Sequence, residues 1–133
     1  MQRDLVISSD LANINKVRFF LDQIFVESGL DKGYFNRVLL GLCEAVNNSI
    51  VHGNKLNVDK LVHIHILVLD NNLSIQIIDE GNGFEIDCIN DPTCFENIKK
   101  EHGRGIFLIR QMADDIRYYD GGRKVMIIYN LEK

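Results

Sequence analysis

Three short segments carry side chains whose types and spacing suit nucleotide chemistry. In Leu42-Cys43-Glu44-Ala45-Val46-Asn47-Asn48-Ser49-Ile50-Val51-His52-Gly53, Glu44 and Asn48 stand four residues apart, and His52 continues the row. On an α-helix that spacing leaves neighbours about 40° apart around the axis, adjacent on one face. A carboxylate beside an amide oxygen suits a Mg²⁺–phosphate site, because Mg²⁺ takes oxygen ligands and completes its shell with phosphates and water. Asn48 can supply one oxygen, and Glu44 can accept the proton of an attacking hydroxyl or water. The same pair also fits a solvated polar strip on a half-exposed helix.

The second segment is Ile77-Ile78-Asp79-Glu80-Gly81-Asn82-Gly83-Phe84. Asp79 falls where a strand ends, so its carboxylate can project into a cleft over the sheet. An ionised Asp only accepts hydrogen bonds, and adenine offers an exocyclic amino donor. Gly81 and Gly83 let the backbone pass close to a ligand. A glycine turn carrying a surface Asp has the same pattern. The third segment, His102-Gly103-Arg104-Gly105-Ile106-Phe107-Leu108, stands at the entrance to an expected helix. Gly103 and Gly105 before a helix N-terminus offer free N–H groups to a phosphate, with Arg104 as a charge contact or a solvent-facing side chain.

These segments need elements to hold them. Leu5-Val6-Ile7 reads as a strand closed by Ser8-Ser9-Asp10, a helix-capping run. Leu11, Ile14, Val17, Leu21, Ile24 and Phe25 recur at helical spacing up to a stop at Gly29. Asp31 can cap a second helix, running to about His52, with an apolar stripe of Phe35, Val38, Leu39, Leu42 and Val46. Leu61 to Leu69 and Leu73 to Ile78 read as a hairpin around Asn71-Asn72. Glu80 to Arg104 reads as a long irregular stretch, suited to a lid, with a short helix near Cys94 to Lys99. Gly105 to Ile116 reads as a helix, and Arg117 to Asp120 with Lys124 to Leu131 as a last hairpin around Gly121-Gly122. The order β-α-α-β-β-lid-α-β-β predicts an α+β fold, a two-layer sandwich whose mixed, mainly antiparallel sheet carries helices on one face.

Composition narrows the function classes. A chain of 133 residues suits one domain spanning 1–133. With 46% hydrophobic and 26% charged residues it reads as an ordinary globular protein. A net charge of −4 argues against a nucleic-acid partner. No apolar run reaches a spanning length, which argues against a membrane. Cys43, Cys88 and Cys94 lack CxxC spacing, and with no signal peptide they point to reduced thiols in the cytoplasm. His63 and His65 share a strand face, but no further metal ligands accompany them. The P-loop pattern GxxxxGK[ST] and the Rossmann pattern GxGxxG are both missing.

The ordered set of Glu44-x-x-x-Asn48, Asp79-x-Gly81-x-Gly83 and Gly103-x-Gly105 resembles the N, G1 and G2 boxes of the GHKL superfamily. The tracts Glu44 to Gly53 and Gly105 to Asp115 are similar to those of the anti-sigma-factor serine kinases in particular. The resemblance covers nearly the whole chain and implies the Bergerat ATP-binding fold. It implies Mg²⁺ coordination by Asn48, base catalysis by Glu44 and adenine recognition by Asp79. Gly81, Gly83, Gly103 and Gly105 would shape the nucleotide pocket and its lid. Family members often carry Gly-Thr near the final strand; here Gly121-Gly122-Arg123-Lys124-Val125 stands instead, so that Thr contact is lost or supplied differently.

The activity implied is ATP-dependent serine/threonine phosphorylation of a STAS-domain anti-anti-sigma protein, with a sigma factor or other regulator as second partner and a homodimer as a plausible assembly. The alternative is a non-catalytic module whose shape is set by ATP. A detached histidine-kinase ATPase domain fits less well, because no phospho-accepting histidine helix is expected ahead of the first strand.

Overall fold

Along Leu61–Leu69 and Asn72–Asp79 apolar side chains alternate with polar or exposed ones, and that period of two decides which face meets the helices. The computed structural model describes residues 1–81 and 113–131. Its strands are β1 (Gln2–Ser8), β2 (Leu61–Leu69), β3 (Asn72–Asp79), β4 (Asp115–Tyr119) and β5 (Lys124–Asn130), and its helices are α1 (Ile14–Ser28) and α2 (Phe35–Asn48). The strands form one sheet in the order β1-β2-β3-β5-β4. Each neighbouring pair is antiparallel, so the expected α+β sandwich stands, with no parallel pair among the described strands.

Register aligns the buried residues into rows. Ile64 lies opposite Ile77 and Ile66 opposite Ile75, and these in turn meet Val125 and Ile127 of β5. Against this face pack Val17, Leu21, Ile24 and Phe25 of α1 and Val38, Leu42, Ala45 and Val46 of α2, forming one core. Phe25 and Phe35 join the helices edge to face, with ring centroids 5.3 Å apart. No helix among the described residues is long and apolar enough to cross a membrane.

The helix boundaries follow local chemistry. The Asp10 carboxylate accepts from Ala12 N and that of Asp31 from Gly33 N, each starting a single 3-10 turn before the α-helix proper. Gly29 ends α1 at a φ of 65°. Two expectations are corrected. Leu69 pairs with Asn72, so the β2–β3 turn is Asp70-Asn71, with Asp70 at a φ of 55° that Asp tolerates better than most residues. Ile116, expected at a helix end, lies in β4 opposite Ile127, because its side chain and that of Tyr118 continue the apolar rows. The rest of that helix, the lid from Glu80, the short helix near Cys94 and Cys88 itself fall largely or wholly outside the described residues.

Helix α2 approaches the sheet closely at Gly41. A Cβ placed there would lie 2.0 Å from the Tyr129 hydroxyl and 3.4 Å from the ring carbon bearing it. Burial pushes the Tyr129 phenol up to about 12. Gly41→Ala gains about 1 kcal/mol of helix propensity but meets a buried oxygen that has nowhere to move. The expected net loss is about 2 kcal/mol in urea unfolding. In a Tyr129→Phe background the oxygen is gone, and most of that loss should disappear.

Candidate functional site

Asp79 is the fourth member of a buried row, after Leu73, Ile75 and Ile77. Strand alternation therefore carries a carboxylate onto the helix-covered face, where it is only 3% exposed. Its Oδ1 accepts from Gly81 N at 2.9 Å, closing the chain into a turn, and its own N–H donates to the Arg123 carbonyl on the β5 side. Burial raises its pKa above the usual 3.8, and the Gly81 bond with the charges of Arg123 and Lys60 only partly offsets this.

The sign of the linkage follows. A carboxylate with a raised folded-state pKa favours the fold below its unfolded value, and that contribution is lost as pH rises through the folded value. Above that folded value the buried carboxylate is thus a cost to the nucleotide-free fold.

Helix α2 ends at Asn48, and Ser49–Gly53 continues as a π-turn in which Asn54 N donates to Ser49 O at 2.8 Å. Such turns recur at functional sites. The α-helical row of Glu44 and Asn48 therefore does not run on unchanged to His52. Glycines let the two halves meet. A Cβ on Gly53 would lie 2.4 Å from Asp79 Oδ2, and one on Gly81 would lie 1.8 Å from the Gly53 carbonyl oxygen.

Between these parts lies a small cavity of about 20 Å³ that opens to solvent. Ala45, Asn48 and Ser49 line it from the helix side, and Asp79 from β3. Tyr118, Gly122 and Val125 close it from β4, β5 and the turn between them. Asn48 and Asp79, predicted from separate segments, thus share one cavity. Half-buried Glu44 sits one helical turn before Asn48 and does not line it. Gly83, Gly103, Arg104 and Gly105 lie outside the described residues.

Sequence reasoning missed Ser49, Tyr118 and Val125 as wall residues. Inward alternation along the last hairpin was the available signal for Tyr118 and Val125.

The histidines of β2 and Cys43 do not line the cavity. His65 bonds Asp4 across β1 and β2, and His63 lies 3.9 Å from Glu80. No group of three metal-ligating side chains occurs among the described residues. The Cys43 thiol is pushed up by burial and by the neighbouring Glu44, with Arg18 opposing, which suits a packed, unreactive thiol.

A carboxylate buried against a cavity, facing a polar helix end across a two-layer α+β sandwich, is the arrangement of a nucleotide-binding domain. The chain belongs to the histidine kinase-like ATPase domain family, which it matches over residues 7–129. It is 24% identical over 117 residues to a serine-protein kinase RsbW of Listeria monocytogenes serovar 1/2a, covering 83% of this chain and 74% of that one. It is 26% identical over 113 residues to the serine-protein kinase RsbW of Staphylococcus aureus strain JH9, covering 80% and 71%. Its fold matches the crystal structure of the RsbU and RsbW domains of Rv1364c from Mycobacterium tuberculosis, with a TM-score of 0.67 at 15% identity. That likeness covers 97% of this chain and 31% of the larger one.

Proposed function

We propose that this chain is a cytoplasmic, single-domain serine/threonine protein kinase of the partner-switching type. It transfers the γ-phosphoryl group of ATP to a hydroxyl of a STAS-domain antagonist and holds a sigma factor or similar regulator in alternation with it. One observation carries the reading: an acceptor-only carboxylate is buried in the wall of a cavity whose opposite wall holds the Asn48 amide. The RsbW kinases named above support the choice of protein as phosphoryl acceptor.

In this reading Asp79 accepts from the adenine amino group, and Ala45 and Val125 flank the base. Asn48 offers one amide oxygen, which fits Mg²⁺ because that ion draws most of its remaining ligands from phosphates and water. The metal, when bound, neutralises charge on the phosphates. Glu44 takes the proton of the attacking hydroxyl, whose oxygen bonds to phosphorus as ADP leaves. A second reading, a non-catalytic ATP-switched module, is favoured by one feature alone: Glu44 lies outside the cavity wall.

Asp79→Asn tests the site. The substituted amide keeps an oxygen for the Gly81 N–H but turns a donor towards the base. ATP affinity by calorimetry should fall about 10- to 100-fold, the scale of a mismatched base contact, and GTP affinity should rise, since guanine presents an acceptor to the new donor. At neutral pH the nucleotide-free melting temperature should rise, because the buried charge is gone. A parent protein that binds ATP and GTP equally would overturn the assignment. Transfer of labelled phosphate to a STAS-domain protein separates the kinase from the binding module.

A further inference from the structure

Asn54 follows the π-turn and is 1% exposed. Its Nδ2 donates to Ser9 Oγ at 2.8 Å and to the Leu61 carbonyl at 3.0 Å. Its Oδ1 accepts from Glu80 N at 2.8 Å. The partners fix the amide orientation, since Leu61 O can only accept and Glu80 N can only donate. Ser9 in turn donates to the Lys60 carbonyl at 2.7 Å, and Leu61 N donates to Glu80 Oε1. One buried side chain therefore ties the end of β1, the start of β2 and the exit of β3 to the end of the helix that carries Asn48.

The tie lands beside Asp79. Glu80 N is the first amide after that carboxylate, Gly53 packs on the carboxylate itself, and Gly81 packs on the Gly53 carbonyl. Glu80 Oε1 adds a second tie from the 79–81 turn to the start of β2, through Leu61 N. Lys55 and Leu56, the next two residues, hold φ of 54° and 59°, a conformation non-glycine residues rarely adopt in succession. Leu56 N donates to the Ile50 carbonyl at 2.7 Å along this path.

We propose that Asn54 is a positioning residue for base selection, which aims the Asp79 carboxylate at the adenine amino group by clamping the 79–81 turn to the α2 terminus. The inference rests on the reading of Asp79 as the adenine contact. Its mark is selectivity: adenine presents a donor to that carboxylate, whereas guanine presents an acceptor at the same edge. Loss of aim therefore weakens ATP and spares GTP.

The test is the ratio of ATP to GTP affinity, measured by calorimetry at 10 °C on protein whose circular dichroism matches the parent. Asn54→Asp keeps the shape and the acceptor but replaces both donors. The ratio should fall at least tenfold. Ser9→Ala, a milder change, removes one acceptor and should lower the ratio about threefold, so it decides the matter should Asn54→Asp fail to fold. Ile66→Ala, in the core at 1% exposure and outside the cavity wall, is the control for lost stability alone and should leave the ratio unchanged. A parental ratio in the folded Asn54 and Ser9 variants, with the ratio lost in Asp79→Asn, overturns the positioning role and leaves the base contact standing. A parent without ATP preference overturns both.

Discussion

Glu44→Gln will stop phosphoryl transfer and leave nucleotide binding in place. The amide keeps the volume and the half-buried position on α2 but cannot take a proton, and a positioned general base contributes about 10²- to 10⁴-fold. Glu44 lies one helical turn from Asn48 and outside the cavity wall. In the proposed reading, with adenine against Asp79, the triphosphate would pass Asn48 and bring the transferring group to the Glu44 side. Asn48→Ala should fail differently. It removes an oxygen from the metal, so Mg²⁺-dependent ATP affinity itself should drop, while binding without metal changes little. The measurements are ATP affinity with and without Mg²⁺, and single-turnover transfer to a STAS-domain protein. Transfer by Glu44→Gln at the parental rate would remove Glu44 from the mechanism.

Gly81→Ala should abolish ATP binding, with a loss of about 100-fold or more. Its Cβ would sit 1.8 Å from the Gly53 carbonyl oxygen, a backbone atom that no rotamer change can move. Either the 79–81 turn lifts away and takes Asp79 with it, or the end of the α2 segment retreats. Overpacking of this kind costs about 1–3 kcal/mol before any ligand is considered. Gly33→Ala is the contrast, since there a Cβ meets only the Asp31 carboxylate at 3.3 Å in an exposed turn. Calorimetry with ATP, beside urea unfolding of both variants, separates a damaged site from a damaged fold. ATP binding at parental strength by Gly81→Ala would show that this close approach is not needed.

The parts legible in the sequence are those set by local chemistry and short periods. Asp10 and Asp31 announced the helix starts, Gly29 announced a stop, and two strand-like runs around a turn gave the β2–β3 hairpin. Its position at a strand end pointed Asp79 towards a cleft over the sheet, and helical spacing paired Glu44 with Asn48. What stayed hidden depends on distant partners. The π-turn leaves no mark, because Ile50 is as apolar as an uninterrupted α-helix would require. Asn54 bonds residues 45 and 26 positions away, which no spacing rule connects. Gly41 reads as a weak point in a helix until Tyr129, from the other end of the chain, is seen beneath it. Tyr118 fell within an expected strand, but its place in the wall depends on Asn48 and Asp79, far away along the chain.

If Asp79 reads the base as proposed, its buried carboxylate sets the domain's tolerance to heat against its competence to bind nucleotide. A library of variants screened for survival at high temperature in plain buffer should enrich substitutions at position 79 and discard the nucleotide site along the way. Screening the same library with saturating ATP should reverse the outcome, since a ligand bound only by the folded chain adds about 2.7 kcal/mol at a hundredfold excess over its dissociation constant. The cell's ATP supply would then act on this domain as a selective pressure, keeping in its core a residue that the empty fold is better without.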